Sequence, residues 1–96
     1  MALIFLSSPT VVEEPAVGFV VRLLGTDETT GRAVECCVAQ PGLRKLGAKG
    51  ISDKALVRAF DKHRRRIESE AQSKFSAGEF ESLPDRDVVW VGPDDL

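Results

Sequence analysis

The chain has no tyrosine, one histidine, one tryptophan and one methionine, and its two cysteines, Cys36 and Cys37, are neighbours. Adjacent cysteines in a strand point to opposite faces, so they make no disulfide framework, and with one histidine they lack the spacing of a zinc site. Long apolar runs are missing too. The N-terminal run Ala2 to Leu6 is shorter than the apolar region of a signal peptide, has no basic residue before it, and no segment approaches a membrane span. The expectation is a cytoplasmic chain with no membrane contact, whose cysteines stay reduced. There is no phosphate-cradling glycine loop and no nucleophile elbow, and Asp85, Asp87, Asp94 and Asp95 lack the glycine-bearing loop of a calcium site. The lone histidine, His63, has no evident catalytic partner. These absences point to a non-enzymatic protein without cofactor, metal or small-molecule substrate.

What is present suits one small folded domain. Ninety-six residues are too few for two independent cores, and 43% hydrophobic with 29% charged residues excludes a disordered or fibrous chain. Period-2 alternation marks the strands. Ala2 to Leu6 reads as a short strand ended by Ser7, Ser8 and Pro9, with a second break at Pro15. Val17 to Leu24 carries Val17, Phe19, Val21 and Leu23 on one face, and Gly25 to Gly31 reads as a hairpin loop. Arg32 to Ala39 alternates again, with Val34, Cys36 and Val38 inward, so Cys36 is expected to be shielded and Cys37 more accessible. Asp87 to Val91 reads as a last strand.

The clearest pattern is helical. Pro41 and Gly42 end the preceding strand, and Leu43 to Leu46 read as one helical turn before Gly47 and Gly50. Ser52 is placed as an N-cap, with Ile51 and Leu56 at the positions of a hydrophobic staple and Asp53 in the first turn. From there Leu56, Phe60, His63, Ile67, Ala71 and Phe75 recur three or four residues apart or at their sums, and Gly78 follows as a C-terminal stop. The spacing predicts a single long helix from about Asp53 to Ala77. The resulting fold class is α+β, a three- to four-stranded antiparallel sheet with one long helix packed across one face, in the order β-β-β-α-β.

Charge is strongly segregated along the chain. Residues 44 to 66 hold nine cations and two acids, a balance of +7, while residues 67 to 96 balance at −6 and residues 1 to 43 at −3. On a helical wheel Lys54, Arg58, Lys62 and Arg65 fall opposite the Leu56 stripe and form a basic ridge suited to nucleic-acid phosphates or an acidic protein surface. The competing account is a solvated face laced by the four-residue pairs Asp61–Arg65, Arg64–Glu68 and Arg66–Glu70. No aromatic interleaves the cations, which argues against base stacking. A third reading is a homodimer or protein-interaction domain that buries the apolar sheet surface one helix leaves uncovered. The acidic end, with Asp94 and Asp95, is expected to repel a polyanion or fold back over the ridge.

The succession Gly31, Val34, Cys36, Val38 and Leu43, then Leu56, Phe60, Asp61, His63, Arg64, Ile67, Ala71 and Phe75, closing on Asp95 and Leu96, resembles the small bacterial domain-of-unknown-function family 1488. The likeness runs from about Gly31 onward and is densest from Ala59 to Phe75. It implies a stand-alone α+β domain with no assigned activity and transfers no catalytic residue.

Overall fold

The computed structural model describes residues 3–50 and 52–96, so the expectations placed on Ala2 and on the Ile51 half of the staple lie outside the described residues. Among the described residues six strands form one mixed sheet: β1 (Leu3–Ile4), β2 (Thr10–Glu14), β3 (Gly18–Asp27), β4 (Ala33–Ala39), β5 (Glu81–Ser82) and β6 (Asp87–Val91). Between β4 and β5 run three helices, α1 (Gln40–Lys45), α2 (Asp53–Lys62) and α3 (Arg64–Ser76), and a 3₁₀ turn, Pro93–Asp95, follows β6. The sheet order is β1-β3-β4-β6-β5, with β2 beside β1 on the same edge of β3.

The sheet corrects the expectation of three or four antiparallel strands. β6 lies parallel to β4, Val34 opposite Asp87 through Val38 opposite Val91, because the helical crossover returns the chain to the same end of the sheet. β2 lies between two prolines, too short for its alternation to stand out. β3 runs on to Asp27, through the first residues assigned to the hairpin loop. Gly25 allows this, since a Cβ there would lie 2.5 Å from both the Ile4 carbonyl oxygen and the Phe5 ring.

The single long helix is also corrected. Its predicted span is helical, but it breaks at His63, where φ is −116° and ψ is 20°. The two halves have different neighbours: α2 packs on α1, β2 and β3, whereas α3 packs on β6. Arg64, just past the break, donates to the carbonyls of Phe5 and Ser7 (both 3.1 Å), and Gln72 Oε1 accepts from the Leu3 amide at 2.7 Å. The apolar stripe runs through the break, with Leu56, Phe60, Ile67, Ala71 and Phe75 all buried. Ser52 caps α2 as expected, its Oγ accepting from Ala55 N at 3.2 Å. α1 begins at Gln40, so Pro41 and Gly42 belong to its first turn, where proline needs no amide donor.

All the helices lie on one face of the sheet. There Phe5, Val21, Leu23, Val34, Cys36, Val38, Val89 and Val91 meet Leu43, Leu56, Phe60, Ile67 and Phe75 in the main core. On the opposite face Val20, Cys37 and Val88 form a smaller cluster with Val12, Ala39 and Leu83, to which no helix residue contributes among the described residues. Cys37 is nevertheless buried at 4% exposure, so the sharp contrast expected between the two thiols is absent. The C-terminal segment is part of the body rather than a free acidic tail. Leu96 enters the main core, Asp95 pairs with Lys74 at 3.2 Å, and Arg66 donates to the Leu96 backbone oxygen.

Candidate basic groove

α1 ends where Gly47 takes φ 103°, a left-handed conformation that glycine adopts without steric cost, and Ala48 N closes back on Leu43 O at 3.0 Å. The chain then turns through Lys49 and Gly50 to the Ser52 cap of α2. The turn and the helix enclose an open groove of about 610 Å³. Small apolar side chains, Ala48, Ala55 and Ala59, line it together with Leu46. Its charged lining is entirely basic: Lys49 from the turn, and Lys54, Arg58 and Lys62 from α2.

The groove thus gathers three of the four residues of the predicted ridge. Arg65 is exposed on α3 beyond the break and does not line it. Helical spacing does not single out Lys49, because its place depends on how the glycine-bounded turn folds back along α2. The two remaining candidate chemistries stay apart from it. His63 sits half-buried at the helix break, and Cys36 and Cys37 have pKa values pushed up to about 12, chiefly by burial.

The pairs that would turn the ridge into a merely solvated face are mostly unmade. Arg64 and Glu68 pair at 2.7 Å, but neither Asp61–Arg65 nor Arg66–Glu70 forms among the described residues. Other cations are used within the fold: Arg64 and Arg66 bond to backbone oxygens, and Lys45 Nζ donates to Pro93 O at 2.7 Å. By contrast Lys49, Lys54, Arg58 and Lys62 have no ion-pair partner among the described residues. Four cations lining one groove outnumber Asp53 and Asp61 of the same helix and give the groove a positive field toward solvent.

A second charged feature lies on the uncovered sheet face. Glu35, 8% exposed at its side chain, lies 3.3 Å from Arg22 Nη1 and 3.0 Å from Arg86 Nε through the same carboxylate oxygen. The carboxylate raises the Arg86 pKa above its ordinary value. The Arg86 contact is an ion pair without hydrogen-bond alignment, and Arg22 Nε is buried with no hydrogen-bond partner. Strand alternation alone does not reveal this cluster, because it depends on the β3–β4 register that sets Leu24 opposite Glu35 and Arg22 opposite Cys37. Exposed Leu24 and Trp90 project from the same face, and Ile4, Leu6 and Leu24 line a hollow at its corner.

Among the described residues no helix is long and apolar enough to cross a membrane. No curated protein and no solved structure matches the chain. Residues 20–84, from β3 through the three helices to the turn before β6, match a family model described as protein of unknown function (DUF1488), and the chain belongs to that family.

Proposed function

We propose that this protein is a non-enzymatic binding module that engages an acidic partner through the groove between the Gly47–Gly50 turn and α2. Nucleic acid is the first candidate and an acidic protein surface the second. The observation that carries the reading is the convergence of Lys49, Lys54, Arg58 and Lys62 on one groove, with no ion-pair partner for any of them among the described residues. The ionic contacts of a basic surface with a polyanion gain free energy from counterion release, so no catalytic group is required. A pull-down from native lysate, with and without nuclease, tests it against a variant carrying Lys54→Ala, Arg58→Ala and Lys62→Ala. Nucleic acid recovered only by the wild-type protein and removed by nuclease supports the first candidate. A nuclease-resistant acidic protein lost with the variant supports the second. Identical recovery by both proteins sinks the reading.

A second reading, self-association, draws on the uncovered sheet face, where Leu24 and Trp90 are 45% and 38% exposed beside buried Val20 and Val88. Apolar residues grouped on one face are a common feature of interfaces. Sedimentation equilibrium tests it: a concentration-dependent dimer that Trp90→Asp abolishes supports it, and a monomer at all concentrations removes it.

A further inference from the structure

We infer that the groove holds the sugar–phosphate backbone of a nucleic-acid duplex, with Lys54, Arg58 and Lys62 on successive phosphates of one strand and Lys49 closing over them from the turn. This inference rests on the reading that the groove takes an acidic partner, and it specifies which one. The spacing of the cations is the first argument. Lys54, Arg58 and Lys62 step four residues at a time along α2, about 6 Å per step at a helical rise of about 1.5 Å per residue. Phosphates on one strand of a duplex rise about 3.4 Å each, and following the turn of the backbone lengthens the step to about 6–7 Å. The two repeats run in step over three charges. Carboxylates four residues apart on a partner helix repeat at the same step, and the poly-glutamate arm of the test below separates that case.

The lining of the groove is the second argument. Between the cations it offers Leu46, Ala48, Ala55 and Ala59, and among the described residues no aromatic ring lines it. Phe60 is turned under α2 into the core, and Trp90 stands on the opposite side of the sheet. A single strand with unpaired bases finds no stacking platform here, whereas a duplex keeps its bases stacked on one another. Among the described residues no asparagine or glutamine lines the groove to read adenine edges, and the Ser52 hydroxyl is committed to its cap. With Arg58 and the three lysines assigned to phosphates, binding in this inference is to backbone and independent of sequence.

The test is a titration of the full chain with three labelled probes of matched length, a mixed-sequence duplex, a single strand and poly-glutamate, from 50 to 200 mM salt. Four phosphate contacts predict a logarithmic salt slope of about −3.6 on the duplex, hence a loss of affinity of about 150-fold over that range. Lys49→Ala, Lys54→Ala, Arg58→Ala and Lys62→Ala should each flatten the slope by about 0.9, whereas Arg65→Ala, outside the groove, should leave it unchanged. Circular dichroism melts confirm that each variant is folded. Equal or tighter binding of the single strand overturns the duplex assignment. Binding of poly-glutamate alone overturns it in favour of an acidic protein while leaving the groove reading intact. If no probe binds at 50 mM salt, both inferences fail.

Discussion

The Ser7 hydroxyl occupies the place of a missing strand residue beside Leu24, donating to its carbonyl at 2.7 Å and accepting from its amide at 3.1 Å. β1 pairs with Thr26 and Asp27, β2 with Gly18 to Arg22, and Ser7 bridges the ladder between them. Ser7→Ala should cost about 0.5–1.5 kcal/mol, since two hydrogen bonds are lost but water reaches the exposed site. Ser8, which makes no side-chain hydrogen bond among the described residues, serves as the control. Equal urea midpoints for Ser7→Ala and Ser8→Ala would remove the bridge from the account.

Phe60 and Ile67 stand on either side of the helix break and are both fully buried. Truncating either to alanine should cost about 2–5 kcal/mol, through lost burial and the cavity left behind. Lys62→Ala, on the exposed side of α2, should cost under about 0.5 kcal/mol. Chemical denaturation of the three variants checks the orientation of both helices, and similar midpoints would mean that the stripe does not face the sheet.

The cysteines make stability depend on alkaline pH. Burial holds both native thiols at a pKa of about 12 against 9.0 for an ordinary thiol, so the unfolded chain loses its protons first. Their contribution is complete below pH 9 and falls as pH rises toward 12, by up to about 1.4 kcal/mol per pH unit for each thiol. The Cys36→Ala and Cys37→Ala variants should each lose part of that slope in denaturation curves between pH 8 and 10.5. Near pH 8 a thiol reagent should modify neither cysteine until the protein opens. Fast stoichiometric labelling of native Cys37 would place it outside the cluster with Val20 and Val88.

Glu35 is the shared partner of Arg22 and Arg86, so replacing it should matter more than replacing either arginine. Glu35→Ala leaves two guanidinium groups without their common acceptor and should cost about 1–3 kcal/mol. A double-mutant cycle with Arg22→Ala reads the coupling directly. Additive effects would mean that the 3.3 Å contact contributes nothing to stability.

The legible parts of the fold were those in which local pattern and tertiary role agree. The inward set Val34, Cys36 and Val38, the Ser52 cap and the stripe from Leu56 to Phe75 are all set by periodicity over several residues, and each is found in place. The helix break was not legible, because His63 brings neither proline nor glycine and the stripe passes through it; it precedes the long-range contacts of Arg64 with Phe5 and Ser7 and of Gln72 with Leu3, which no local pattern shows. β2 and the parallel β6 were hidden for a related reason, since strand direction and edge pairing depend on where a crossover returns the chain. At the site, Lys54, Arg58 and Lys62 followed from four-residue spacing on a helix. Lys49 joins them only through the three-dimensional path of a glycine turn, and the same helix break separates Arg65 from them.

The most direct test of the central claim is a comparison of wild-type protein with the Lys54→Glu, Arg58→Glu double variant, each titrated against generic nucleic acid at about 50 mM salt. Both substitutions lie on the exposed face of α2, so unfolding free energies from urea titration should agree within about 0.5 kcal/mol while the variant binds at least about tenfold more weakly. Equal affinity for the two proteins, or no binding by the wild type, would contradict the account.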